Sequence, residues 1–74
     1  MNLRESIDEL DVLIAEMTDL RQQLCVGELE GDRESAEQAL WAAEVGLRDV
    51  ARRAEHRARI VRRAIELVAL QRTA

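Results

Sequence analysis

The sequence predicts an all-α protein built from two long helices that pair with a second copy of the chain. Hydrophobic residues recur at alternating three- and four-residue spacings through both halves, which is the spacing of one face of a helix. The chain has no Pro, Phe or Tyr, and its hydrophobic residues are mostly Ala, Leu, Val and Ile. With 74 residues and one cysteine, it forms a single domain (1–74) that no internal disulfide can stabilise. A partner is therefore expected to complete the fold.

The first helix is predicted to run from about residue 3 to residues 26–30. Its apolar stripe has the spacing 4-3-4-3-4-3 and consists of Leu3, Ile7, Leu10, Ile14, Met17, Arg21 and Leu24. Leu13 and Leu20 widen this stripe. Asn2 is placed to cap the start of the helix, and acidic residues in the first turns suit the positive end of the helix dipole.

A short joint, residues 26–32, separates this helix from the next. Gly27 or Gly31 can adopt the left-handed conformation that ends a helix. Asp32 is the predicted N-cap of the second helix, with Ser35 three residues further on and Glu34 in the first turn.

The second segment repeats the same apolar rhythm. The positions are Ala36, Leu40, Ala43, Leu47, Val50, Ala54, Arg57, Val61, Ala64, Val68 and Gln71. Read as one helix, the segment has about 40 residues and a length of about 60 Å, which the first helix cannot cover. Either a second protomer covers the free end, or the segment breaks near Gly46 to Asp49 and folds back as a third helix. Gly46 costs about 1 kcal/mol in a helix interior, and Asp49 could cap a third helix.

Charge is distributed unevenly along the chain. Residues 1–37 carry three Arg and eleven acidic residues, a net −8, whereas residues 38–74 carry eight Arg and four acidic residues, a net +4. This asymmetry favours antiparallel helices that attract each other, within one chain or between chains. It does not favour nucleic-acid binding, because the acidic half opposes it and no aromatic residues are interleaved with the arginines.

Several classes of protein are excluded by what the chain lacks. No apolar run approaches the roughly 20 residues of a membrane span, and no export signal opens the chain. No Cys/His cluster could hold a structural metal, and a lone cysteine suits a reducing compartment. We therefore expect a cytoplasmic protein without a metal or a cofactor.

Polar side chains interrupt the apolar stripes at Arg21, Arg57 and Gln71. A buried guanidinium without a partner is costly, so we expect Arg57 either to pair with a carboxylate of the facing helix or to lie at the edge of the helix contact. Arg21 differs from Arg57 because it also belongs to a longer pattern.

That pattern has seven positions in the first helix: Leu3, Arg4, Ile7, Asp8, Asp11, Arg21 and Leu24. It continues after the joint with Arg33 and Glu34, and it ends with Ala69-Leu70-Gln71. Together these positions resemble the all-helical chorismate mutase family. Gly46 falls where the second and third helices of that family part.

The resemblance implies an intertwined helical homodimer that rearranges chorismate to prephenate in aromatic amino-acid biosynthesis, or acts on a similar shikimate-derived dicarboxylate. Such catalysis needs positioning and preorganised charge but no cofactor. By position, Arg21 and Arg33 would hold one carboxylate, and Arg4 of the partner subunit would hold the other. Glu34 would accept a hydrogen bond from the ring hydroxyl, and Gln71 would donate one to the ether oxygen.

The sequence also departs from the family. The family has a longer segment between the positions of Arg21 and Arg33, and that segment carries a lysine that donates to the ether oxygen. This chain contains no lysine. Losing one preorganised donor typically lowers the rate by about 10²–10³.

The alternative interpretation is a non-catalytic helical dimer with a binding, scaffold or regulatory role. In that case Arg4 pairs with Asp8, Arg33 pairs with Glu37, and Glu34 interacts only with the helix dipole.

Overall fold

The computed structural model describes residues 2–73 as two α-helices joined by two residues. Helix α1 spans Leu3–Glu30, and helix α2 spans Arg33–Thr73. Residues 2–73 contain no β-strand, so the predicted all-α class and the two long helices are confirmed. Helix α2 continues through Gly46 without interruption. The alternative prediction, a break near Gly46 followed by a third helix, is therefore wrong.

Local capping interactions set both ends of α1. The side-chain oxygen of Asn2 accepts a hydrogen bond from the Glu5 backbone N–H at 2.7 Å. At the other end, Gly31 adopts the left-handed conformation with φ of 73°, and its N–H donates to the Gly27 carbonyl at 3.4 Å. Glycine populates this conformation without the steric cost that a Cβ atom brings. Of the two predicted glycines, Gly31 is therefore the one that ends the helix.

Asp32 starts α2 as an N-cap. Its carboxylate accepts a hydrogen bond from the Ser35 N–H at 2.9 Å, and its carbonyl accepts one from the Ala36 N–H at 3.1 Å. The hydrogen bonds from the backbone and the hydroxyl of Ser35 lower the pKa of the Asp32 carboxyl, because they favour its charged form. The predicted cap is confirmed, and it fixes a turn of only two residues between antiparallel helices.

The two helices approach closely because small residues line their contact. A Cβ atom on Gly27 would lie 2.6 Å from the Ala39 Cβ and 3.3 Å from the Ser35 carbonyl oxygen. A Cβ atom on Gly46 would overlap the side chain of Leu20. Gly46 is therefore a packing position for α1, whereas its sequence context had indicated a weak point in the helix.

The interior of this helical hairpin is thin. Among the described residues, the buried hydrophobic side chains are Leu13, Ala43 and Val50. The α1 stripe that the heptad spacing predicted as a core face lies outside this contact, and Leu3, Ile14 and the other large members of the stripe are exposed. Leu13 and Leu20, which flank that stripe, form the contact instead.

The hairpin is long and flat. Its principal extents are 63 × 18 × 10 Å, and its radius of gyration is 17.8 Å. A compact domain of this length has a radius of gyration of about 11 Å. Since α1 has 28 residues and α2 has 41, the C-terminal turns of α2 extend past the start of α1, as the length mismatch predicted.

Candidate interaction face

One broad face of the hairpin is apolar and uncovered. We call it the apolar face and define it by six residues of α1 and six residues of α2. These are Leu3, Ile7, Leu10, Ile14, Met17, Leu24, Leu40, Leu47, Ala54, Val61, Ile65 and Val68. Leu3, Leu10, Met17 and Leu24 follow one another at seven-residue steps, as do Leu40, Leu47, Ala54, Val61 and Val68. Residues at such steps lie in nearly the same direction on a helix.

Surface grooves show that the two helices contribute to the same side of the hairpin. Leu10 lines one groove together with Ala54, Val61 and Ile65 of α2. Leu3 lines the next groove, which shares Val61 and Ile65 with the first. The apolar face is therefore a continuous surface across both helices.

The groove near the turn extends this surface to the other end of the hairpin. It is lined by Leu24 and Gly27 of α1 and by Ala36, Ala39 and Leu40 of α2. An uncovered apolar surface that runs along both helices is typical of an interaction site.

The opposite face carries charge. One groove there is lined by Glu16, Asp19 and Asp49, beside the contact between the helices. Another groove, nearer the end of α2, includes His56, Arg59, Ile60, Arg63, Ala64 and Leu67. The two faces therefore differ in the balance of their chemistry. The grooves of the apolar face include Arg57, Arg62, Arg72 and Glu28, but most of their lining side chains are apolar.

Two ion pairs cross between the helices at their contact. The Arg53 guanidinium donates to Glu16 at 2.8 Å and also reaches Asp49 at 2.8 Å within its own helix. Arg57 lies 3.8 Å from Glu9, and the Arg57 side chain is only 13% exposed. The predicted pairing of Arg57 with a carboxylate of the facing helix is confirmed.

These pairs leave some donors without a partner. The Nε atoms of Arg53 and Arg57 and the Nη1 atom of Arg57 are buried and have no hydrogen-bond partner within residues 2–73. The sequence had indicated Arg57 but not the pair of Glu16 with Arg53. The signal for that pair was the spacing of Glu16 from Leu13 and Leu20, because the three share one side of α1.

The residues that the family resemblance singled out do not meet within one chain. Arg33 and Gln71 both lie on the uninterrupted helix α2, 38 residues apart, which corresponds to about 57 Å. Arg4 lies in the first turns of α1, at the far end of the hairpin from Arg33 and Glu34. Arg21 lies two to three turns before the end of α1.

Two of these arginines have carboxylates of their own helix as partners. Arg4 lies 3.8 Å from Asp8, and Arg33 lies 2.9 Å from Glu37. Both pairs are exposed, and such pairs contribute only a few tenths of a kcal/mol. Arg21 is exposed beside the apolar face, and within the described part of the chain it makes no ion pair.

The described residues contain neither a metal-binding cluster nor a membrane span. Nowhere between residues 2 and 73 do three or more His, Cys, Asp or Glu side chains come together as a metal site would require. Neither α1 nor α2, over the same range, is both long enough and apolar enough to cross a membrane.

Comparison with family models, with curated proteins and with solved structures finds no match for this chain. The resemblance to the chorismate mutases therefore stays a prediction from the positions in the sequence.

Proposed function

We propose that the protein is a self-assembling helical module, in which two copies bury their apolar faces against each other to form a bundle of four helices. Its role is then that of a binding or scaffold protein. The observation that carries the proposal is the apolar face itself, an uncovered surface on a hairpin whose own interior is too thin to account for its hydrophobic residues.

The exposed area supports this proposal quantitatively. The chain exposes 6205 Å² of surface at a mass of 8.4 kDa. A compact folded monomer of that mass exposes about 4,600 Å², so the chain has an excess of about 1,600 Å². A standard protein interface buries roughly 800 Å² on each partner, and the excess is about twice that area. Pairing of the apolar faces over a standard interface would remove about half of this excess.

The face also has the composition of a helical interface. Leu, Ile, Val and Met repeat along it at heptad spacing, as in the contacts between helices of a bundle. Burying one such side chain contributes about 1.5–3 kcal/mol. Since the apolar face has eleven side chains larger than alanine, an isolated hairpin that leaves them in water forgoes this contribution to its stability.

A matched pair of variants tests the proposal. Leu10 and Val12 are similarly exposed, at 49% and 47%, but only Leu10 belongs to the apolar face. Leu10→Glu places a charge in the proposed interface, and we expect it to weaken pairing by at least about tenfold, or 1.4 kcal/mol. Val12→Glu should pair as the native chain does. Light scattering across a concentration series measures both, and equal behaviour of the two variants would contradict the proposal.

Chorismate rearrangement is the second candidate function, and the placement of Arg21 is the observation that favours it. This arginine lies beside an apolar surface without an ion pair in residues 2–73, so its guanidinium is available to bind a carboxylate. Because Arg33 and Gln71 are about 57 Å apart in one chain, such a site requires residues from two copies.

An absorbance assay for chorismate loss at high protein concentration, with product identification, tests this candidate. We expect Arg21→Met to lose at least about tenfold in turnover, or 1.4 kcal/mol, while remaining folded. Arg48→Met is the matched control, because Arg48 is exposed and pairs with Glu44 of its own helix at 2.8 Å. Absence of turnover in the native chain would exclude the candidate and leave the assembly proposal intact.

A further inference from the structure

We infer that two copies pair with their turns at opposite ends, so that the C-terminal segment of each α2 packs on the turn end of the other copy. The C-terminal segment is residues 59–73, and the turn end is residues 24–40. This inference rests on the proposed pairing of the apolar faces, and it adds the direction and the register of that pairing.

The first observation is that most of the C-terminal segment has no cover within its own chain. Leu20 packs at Gly46, and Glu9 pairs with Arg57, so Leu3 lies level with about residue 63 of α2. The last ten residues of α2 therefore lie beyond α1. They remain apolar, and the exposed large side chains among them are Ile65, Leu67, Val68 and Leu70.

The second observation is that both ends of the hairpin have open apolar grooves. At the C-terminal segment, a groove of about 580 Å³ is lined by Leu3, Ile65 and Val68, among others. At the turn end, the groove between Leu24 and Leu40 is also uncovered. When two α2 helices overlap along their whole length of about 60 Å with opposite directions, each C-terminal segment meets the other turn end. A shorter overlap would leave both C-terminal segments exposed.

The third observation is charge complementarity. The turn end carries five acidic residues and one arginine, a net −4, whereas the C-terminal segment carries four arginines and Glu66, a net +3. Opposite directions bring these charges together, while equal directions would place the two basic segments side by side.

The single cysteine makes the arrangement measurable in the native chain. Cys25 lies within the turn end and is free and half-buried. A nitroxide spin label on Cys25 gives the distance between two copies by pulsed electron paramagnetic resonance. At a rise of 1.5 Å per residue, the proposed register places the two labels about 40 Å apart. If the copies run in opposite directions but overlap only over the part of α2 that α1 covers, residues 33–63, the labels lie about 25 Å apart. If the copies run in the same direction, the labels lie less than about 20 Å apart.

A second label position controls for any disturbance at Cys25. In a Cys25→Ser background, Gln38→Cys places the label on an exposed position near the turn and away from the apolar face. We expect this label to report a separation above about 40 Å as well. Distances of about 25 Å or less at Cys25 would overturn the direction or the register while leaving the pairing of the apolar faces in place. The absence of any dipolar coupling between copies would instead contradict the proposed pairing itself.

Discussion

At the scale of single residues, the contact between α1 and α2 depends on two glycines that differ in what surrounds them. Gly27 faces the Cβ atom of Ala39 and the carbonyl of Ser35, neither of which can move without moving the helix. Gly46 faces the side chain of Leu20, whose outer atoms can rotate away. The same substitution should therefore have different consequences at the two positions.

We expect Gly27→Ala to destabilise the protein by about 1–3 kcal/mol, because the added methyl group forces the helices apart. Gly46→Ala should change stability by less than about 1 kcal/mol, since a gain of about 1 kcal/mol in helix propensity offsets the displacement of Leu20. Urea unfolding followed by circular dichroism, at one protein concentration, measures both. A larger loss of stability for Gly46→Ala than for Gly27→Ala would contradict the close approach of the two helices at Gly27.

The Asp32 cap at the start of α2 makes the stability of the folded chain depend on pH. Its pKa is lowered in the folded chain by the hydrogen bonds from Ser35, so the unfolded chain binds the proton more readily. The contribution of this cap is fully present above about pH 4, the ordinary value for an unfolded aspartate, and is lost as the pH falls through the lower, folded pKa.

We therefore expect the native chain to lose stability more steeply than Asp32→Asn between about pH 4 and pH 2. Asparagine caps a helix about as well as aspartate but does not titrate, which makes this variant a direct control. Thermal melting over this pH range measures the difference. Identical slopes for the two proteins would show that the cap does not couple proton binding to folding.

At the scale of elements, the sequence predicts the ends of the helices well because their signals are local. Asn2, Gly31 and Asp32 each act within one turn of their own position, so neighbouring residues suffice to identify them. The continuity of α2 could not be predicted in the same way. Whether Gly46 breaks the helix depends on Leu20, which lies 26 positions earlier in the chain and contacts Gly46 only after folding.

The spacing of residues within α1 alone also could not predict which face of α1 contacts α2. The heptad spacing correctly identifies a continuous apolar stripe, but the stripe lies on the exposed face. Leu20 packs against Gly46 and Gly27 against Ala39 instead, since small residues allow the helix axes to come closer. Of the candidate site residues, the exposed positions of Arg4 and Arg33 and their partners at i+4 follow from local spacing alone.

We expect the ion pairs between the helices to fix the register of the helices more than to add stability. Arg57 is mostly buried, has two donor atoms without partners, and lies 3.8 Å from Glu9. Removing the carboxylate alone would leave a mostly buried charge without its counter-charge, whereas an apolar side chain of similar length has no such requirement.

We expect Arg57→Met to keep the stability of the native chain within about 1 kcal/mol, or to raise it. Glu9→Gln should be the more destabilising of the two, because it leaves the guanidinium of Arg57 in place without its carboxylate. Thermal unfolding of both variants at matched concentration tests this order. A loss of stability in Arg57→Met that exceeds the loss in Glu9→Gln would mean that the ion pair itself stabilises the contact.

At the scale of the whole molecule, the inferred pairing has a consequence for the predicted site. With the α2 helices overlapping fully in opposite directions, Arg33 of one copy lies level with Gln71 of the other. Arg21 then lies level with Arg4 of the other copy, because both are about 15 Å from the same end of the bundle. These four residues, which lie far apart in one chain, would then lie at one end of the bundle formed by two copies. The assay of chorismate loss should therefore be made at a protein concentration at which all copies are paired.

Sedimentation equilibrium of the native protein at micromolar concentration measures whether the apolar face joins two copies of the chain. We expect a mass of twice the 8.4 kDa chain, together with a helix content that falls when dilution separates the copies. A mass of one chain with undiminished helix content would contradict the proposed pairing, because a hairpin with so few buried side chains would then be stable with its apolar face in water.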